Sequence, residues 1–409
     1  MAGHAASQRH SGRCGGGATL SSEVPSATPV VGILGGGQLA RMLAEAATPL
    51  GVHVRVLAAP GDEGAREVVP DTVVGDPLDP DDVARFEAGV DVLTIDHENV
   101  DHETLASLEA ARSAVRPGVG TLRFSDKAHQ RRAFASGGIP VPEFVVVDPV
   151  ASVPGAQEVA VAFASGSGPE VVAKASRGGY DGRAVWMLGA DQVGPFVAAY
   201  EGSPLVFEPK LDLRCELAVL VARNPSGEVR TWPVLETVQV DGMCDEVVFP
   251  APVEGHVAQR AREIASDVAE LTGAVGVLAV ELFVLGDDEV LVNEIAPRVH
   301  NSGHLTIEGS STSQFEQHLR AILDWPLGPT GMSSPAVAMS NVVGSGEIDP
   351  RTRQALALAG VPEAHLHLYG KAPRDRRKVG HVTVLGDERG STRQRAAMAA
   401  ELLSGDRVR

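Results

Sequence analysis

The stretch NEIAPRVHNSGH, residues 293–304, leaves an apolar strand and gathers a carboxylate, an arginine, two histidines and small polar residues. Spacing alone offers Glu294 a partner. If Asp287-Asp288 is a two-residue turn in VELFVLGDDEVLVNEI, Gly286 faces Glu289 and Glu281 faces Glu294 on the same side of the ladder. Two carboxylates about 5 Å apart repel, which destabilises a bare sheet. A divalent cation reverses the sign, because Mg2+ is held by one or two carboxylates together with phosphate oxygens. A different register would leave one glutamate simply solvated. Arg298, His300, Asn301 and Ser302 supply donors for a small planar anion such as a carboxylate or bicarbonate, and the alternative is a polar loop held by its own hydrogen bonds. His300 and His304 are four apart, but Pro297 and Gly303 argue against a continuous helix and Asn follows His300, so zinc is not supported.

Three further segments suggest phosphate chemistry. In GILGGGQLA, Gly35-x-Gly37-x-x-Ala40 matches a nucleotide-binding turn whose glycines let a phosphate approach a helix N-terminus. The next strand ends Leu57-Ala58-Ala59, without the acid a dinucleotide ribose needs, which leaves a phosphate-bearing substrate as the better expectation. After the strand EVVAK, Lys174 precedes the loop SRGGYDGRA. That loop could fold its amides over phosphates, or it could be an ordinary hairpin around Asp-Gly. Near the C-terminus, YGKAPRDRRKVGH concentrates Lys371, Arg374, Arg376, Arg377 and Lys378, a candidate phosphate site unless it is only solvated surface.

These groups need a scaffold. From Val30 the chain reads strand, glycine turn, helix, strand; DTVVG and DVLTID add two strands, and residues 105–114 read as a helix, predicting a small parallel sheet with helices on both faces. From about Asp126, strand-like runs separated by Gly, Pro and Asp predict antiparallel sheet. Helices are expected over 257–272, stopped by Gly273, over SQFEQHLRAIL, and from about Ser391. With 409 residues the chain is too long for one core. The fold class expected is α/β and α+β. Residues 1–29, rich in Gly, Ser, Ala and Thr, are expected to be a disordered tail. The 53 acidic against 35 basic residues give a net charge of −18, which disfavours nucleic acid as the main partner. No run reaches membrane-helix length, so a cytoplasmic protein is expected. Cys14, Cys215 and Cys244 are odd in number and widely spaced, supporting neither disulfides nor a metal knot.

GGGQLARM, DHENV, SRGGYDGRA, ELFV, NEIAPRVHNSGH, SQFEQHLRAI and YGKAPRDRRKVGH, in this order, resemble the N5-carboxyaminoimidazole ribonucleotide synthases, ATP-grasp enzymes of purine biosynthesis. The likeness spans nearly all of residues 30–384. It implies a βαβ pre-ATP-grasp domain (30–125), an ATP-grasp domain (126–325) and a small β-rich C-terminal domain (326–409). It further implies ATP-dependent carboxylation of 5-aminoimidazole ribonucleotide by bicarbonate through carboxyphosphate, in a homodimer, with Mg2+ (or Mn2+) on Glu281 and Glu294. ATP would meet Lys127, Lys174, Gly178, Gly179, Tyr180, Asp181, Gly182, Glu208 at the adenine hinge, Glu216, Asn293 and Glu294. The ribonucleotide would meet Gly37, Gln38, Leu39, Glu98, Tyr180, Lys371, Arg374, Arg377 and Lys378; Arg298, His300, Asn301 and Ser302 would face bicarbonate, and Asp181 would take the amine proton. Ala184, Gln239 and His97 depart from the residues usual in the family.

Overall fold

Strands Val30–Leu34 (β1), His53–Ala58 (β2), Thr72–Val74 (β3) and Val92–Ile95 (β4) pair in parallel, in the order β3-β2-β1-β4. The computed structural model describes residues 28–148, 155–179, 184–346 and 348–405. The expected tail, except its last two residues, and Tyr180, Asp181, Gly182 and Arg183 of the glycine loop lie outside them. One face of this first sheet packs Val31, Ile33 and Val56 against helix Gln38–Leu50; the other packs Leu34, Leu57 and Ile95 against Val83, Phe86 and Leu105. The helix expected at 105–114 is His102–Ala110, because Asp101 caps it, accepting from the Thr104 N–H at 3.0 Å.

Strands Val145–Val147 (β5), Glu170–Ala175 (β6), Val185–Gly189 (β7) and Leu205–Pro209 (β8) form a four-stranded antiparallel sheet. A nine-stranded sheet follows. It comprises Leu213–Arg223 (β9), Val229–Thr231 (β10), Leu235–Val240 (β11), Met243–Phe249 (β12), Gly276–Leu285 (β13), Val290–Ala296 (β14), Ala336–Gly344 (β15), His365–Leu368 (β16) and Arg377–Gly386 (β17). Its order is β14-β13-β9-β11-β12-β15-β17-β16, with β10 beside β9, so the C-terminal strands continue the same ladder through β12 and β15. Helix Gly255–Thr272 ends at Gly273 in the left-handed conformation (φ 62°), as expected. The last helix, Arg389–Ser404, starts two residues before Ser391 because Glu388 caps it. Helix Gln314–Ile322, capped by Ser313, joins the domains: Phe315, Leu319 and Ile322 share one core with Val31 and Ile33 of β1 and with Val277 and Ala279 of β13. Among the described residues no helix is long and apolar enough to cross a membrane.

Candidate active site

Glu281 does pair with Glu294, but not by the expected route. Leu285 N–H donates to Glu289 O (2.9 Å) around a three-residue turn with Asp288 at φ 67°, so Gly286 does not face Glu289. The ladder then runs Val284 to Val290 and Leu282 to Val292. A bulge inserts Asn293 and restores Glu281 opposite Glu294. The longer turn and the bulge cancel. The inserted residue reaches the cleft: Lys174 Nζ donates to Asn293 Oδ1 at 3.0 Å.

A charged floor surrounds the pair. Lys127, first residue of helix Lys127–Ser136, donates to Glu294. Burial opposes ionisation of Glu294, but Lys127, Lys174 and His300 outweigh it and hold the carboxyl below its ordinary value. Glu281 goes the other way: burial, then Glu294 and Glu216, push its carboxyl well up. Glu216 on β9 is also raised, chiefly by burial, and accepts a hydrogen bond from Gln239 on β11, so one of the residues unusual for the family touches a predicted nucleotide ligand. Among the described residues no three His, Cys, Asp or Glu side chains converge to hold a metal on their own. Two facing carboxylates, one driven toward protonation by its neighbours, suit Mg2+ that brings phosphate oxygens as its remaining ligands.

Lys174 on β6 ion-pairs with Glu208 (2.7 Å), and Arg131 meets the other oxygen of that carboxylate. Glu208 is 3% exposed, so its side chain anchors the two cations, and only its backbone remains for the expected hinge contact. Gly178, at φ 80°, and Gly179 begin the glycine loop at the end of β6, where Arg177 ion-pairs with Asp126 at 2.7 Å.

The loop after β14 packs against the first domain. Arg298 Nε lies 3.0 Å from Glu98 Oε1, and His300 Nε2 lies 3.8 Å from Glu281 Oε1. Burial, with Arg298 and Lys378 nearby, lowers His300 to about 4, leaving a neutral ring. Ser302 is fully buried and its hydroxyl meets His300 Nδ1 at 2.9 Å, so it orients the ring. The Asn301 and Asn341 amides pair reciprocally at 2.9 Å in both directions. His304 turns inward: Gln314 Nε2 donates to its Nδ1 (3.0 Å) and to His300 O (2.7 Å), while Gln314 Oε1 accepts from His300 N–H (2.9 Å). Gln314, from the next helix, therefore straps this loop in place.

The first glycine turn is filled from within the protein. Asp96, at the end of β4, accepts from the N–H groups of Gly37 (2.7 Å) and Ala40 (2.8 Å), so a carboxylate of the protein fills the helix N-terminus offered to a phosphate. Leu39 is buried in the core. Gln38 remains available at the rim, and Lys371 donates to its Oε1 across 333 residues of sequence. Arg377 Nη1 binds Glu63 at 2.7 Å, and Arg374 lies 3.9 Å from the same carboxylate. Arg376 instead reaches Asp241 O at 3.0 Å. Asp96, Glu63 and Gln314 escape the sequence reading. A hint existed only for Asp96, an acid directly after the mostly apolar strand VLTI and beside an open glycine turn. Cys244 is buried, which pushes its thiol up to about 12, and Cys215 is half-buried and unpaired.

The family model for the ATP-grasp domain matches residues 132–315, that for the ribonucleotide synthetase preATP-grasp domain matches 29–126, and that for the phosphoribosylaminoimidazole carboxylase C-terminal domain matches 337–395. An N5-carboxyaminoimidazole ribonucleotide synthase of Mycobacterium bovis is 43% identical over 407 residues, covering 95% of this chain and 92% of that protein. One from Corynebacterium ammoniagenes is 42% identical and covers 92% of each. The crystal structure of carboxyaminoimidazole ribonucleotide synthase from Aspergillus clavatus complexed with ATP superposes with a TM-score of 0.83 at 32% identity, covering 92% of this chain and 98% of that one. The Aspergillus clavatus enzyme in complex with ADP and 5-aminoimidazole ribonucleotide gives 0.82 at 31% identity, with the same coverage.

Proposed function

The chain belongs to the N5-carboxyaminoimidazole ribonucleotide synthase family of ATP-grasp ligases, and from that premise we propose that it uses ATP to carboxylate 5-aminoimidazole ribonucleotide with bicarbonate, through carboxyphosphate, releasing ADP and phosphate. The observation that carries this reading is the Arg298–His300 loop, with one residue against Glu98 of the first domain and the other beside the Glu281–Glu294 pair. A small anion held there would lie between a nucleotide terminus and a substrate bridging the two domains.

Lys127, Lys174, Asn293 and Glu216 would surround ATP, with Gly178 and Gly179 opening the loop over its phosphates; Tyr180, Asp181 and Gly182 remain expectations from the resemblance. Glu281 and Glu294 would hold Mg2+, or Mn2+, which offsets charge on the transferring phosphoryl group when bound. Arg298 would orient bicarbonate, supported by its fixed position against Glu98. Asn301 would contribute only by opening its amide pair with Asn341, and Ser302 acts through His300. A bicarbonate oxygen attacks the γ-phosphorus and ADP leaves; carboxyphosphate then loses phosphate, and the amine nitrogen bonds to the carboxyl carbon as its proton passes to a base, for which Asp181 is the candidate. Neutral His300 suits this site, since it can donate from Nε2 without repelling Arg298. Gln38, Glu98, Lys371, Arg374, Arg377 and Lys378 would hold the ribonucleotide, with Gly37 only as backbone. A cytoplasmic homodimer is part of the same proposal.

The decisive measurement uses oxygen-labelled bicarbonate. One label should appear in the released phosphate, because carboxyphosphate breaks with that oxygen left on phosphorus, and formate should not substitute. Unlabelled phosphate at full ribonucleotide-dependent ATP turnover would overturn the carboxyphosphate route and favour a sister ligase acting on formate.

A further inference from the structure

Residues 62–64 are wedged between the first glycine turn and the segment that carries Lys371. Asp62 Oδ2 accepts from the N–H groups of Gly36 and Ala59, both at 3.0 Å. Gly64, at φ 122°, holds a backbone conformation that L side chains rarely adopt, and a Cβ there would sit tightly, 3.2 Å from both Gly37 O and Tyr369 O. Between these two anchors Glu63 projects into the basic patch. Its Oε2 accepts from the Ala372 N–H at 3.0 Å and from Arg377 Nη1 at 2.7 Å, and Oε1 lies 3.9 Å from Arg374 Nη2. Two guanidinium groups and a backbone N–H converging on one oxyanion form the donor set typical of a phosphate site.

We propose that Glu63 is a phosphate surrogate: its carboxylate and the phosphate of the ribonucleotide compete for Arg374, Arg377 and the Ala372 N–H, so the substrate binds by displacing it. This rests on the basic patch being the ribonucleotide's phosphate site. A phosphate monoester brings nearly two charges and three acceptor oxygens, against one charge and two oxygens for the carboxylate, so the substrate prevails. A nucleoside without phosphate has nothing with which to displace Glu63. The device therefore selects for the phosphorylated substrate, and its cost is a lowered apparent affinity, scaled by the fraction of molecules with the donors free.

Glu63→Gln and Glu63→Ala, with Arg377→Ala as reference, test this in steady-state kinetics of the full chain. Both Glu63 variants should lower the KM for the ribonucleotide by about threefold or more and leave the KM for ATP unchanged. Inorganic phosphate should inhibit competitively against the ribonucleotide, with a Ki that falls in parallel. Thermal melting checks folding, which a partly exposed side chain should hardly disturb. A ribonucleotide KM that stays level or rises in both Glu63 variants, while Arg377→Ala raises it, would show that Glu63 orients the arginines and overturn the proposal. An Arg377→Ala enzyme with unchanged ribonucleotide KM would instead overturn the assignment of the patch.

Discussion

Glu281 and Glu294 face each other across one ladder position, yet their carboxyls are driven in opposite directions because only Glu294 has Lys127 against it. Glu294→Gln removes, at constant shape, one of the two carboxylates proposed to hold Mg2+, and should lower turnover by about 100-fold or more across ordinary Mg2+ concentrations. Stability should fall by about 1 kcal/mol as Lys127 loses a partly exposed partner. Activity titrated with Mg2+, alongside urea unfolding, checks both. Glu281 has a pH signature: its folded-state pKa is raised, so its contribution is fully present below the ordinary carboxylate pKa and is lost as pH rises through the folded value. Without nucleotide, denaturant stability should therefore decline from about pH 5 upward through this group, and Glu281→Gln should flatten the decline. At this scale the sequence was legible where chemistry is local. Glu281, Glu294, Arg298 and His300 announce themselves by type and spacing, whereas Glu63 and Asp96 act only on segments that folding brings to them.

The hairpin β13–β14 shows how an element can be read correctly for the wrong reason. Asp287-Asp288 predicts a two-residue turn, but Asp288 takes φ 67° in a three-residue turn, and the bulge then returns the register. Nothing in the residue types marks a bulge at Asn293. The apolar pattern places helix starts two or three residues late wherever the cap lies outside it, as with Asp101 and Glu388. Without Asn293, the run Leu291, Val292, Glu294, Ile295 alternates regularly and still sets Glu294 opposite Glu281. Deleting Asn293 alone should thus leave the melting temperature within about 5 °C while raising the KM for ATP several-fold, since Lys174 loses a partner. Melting curves with and without ATP would show it, and a variant that does not fold would mean the bulge is required by the sheet.

The domains are held together by contacts that no single segment encodes. His318 Nδ1 accepts from Val277 N–H at 3.0 Å in the central sheet, and its Nε2 therefore donates to Thr94 Oγ1 of the first sheet at 2.9 Å. Burial lowers this ring to about 4. Because the unfolded chain takes up the proton first, stability from this site is lost as pH falls from about 6.5 toward about 4. Urea unfolding at descending pH should show a slope that His318→Gln reduces by up to about 1.4 kcal/mol per pH unit. The order of synthesis matters as well. Strand β12 pairs with β15, from Glu246–Ser340 to Phe249–Val337, and β15 in turn pairs with β17 as far as Gly386. A nascent chain that has emerged only as far as Leu327 therefore carries the Glu281–Glu294 pair beside a row of unpaired amides and carbonyls on β12. That raw edge can recruit a neighbouring chain, so the 82 residues after Leu327 act during translation as the guard that finishes the sheet before another ribosome's product can.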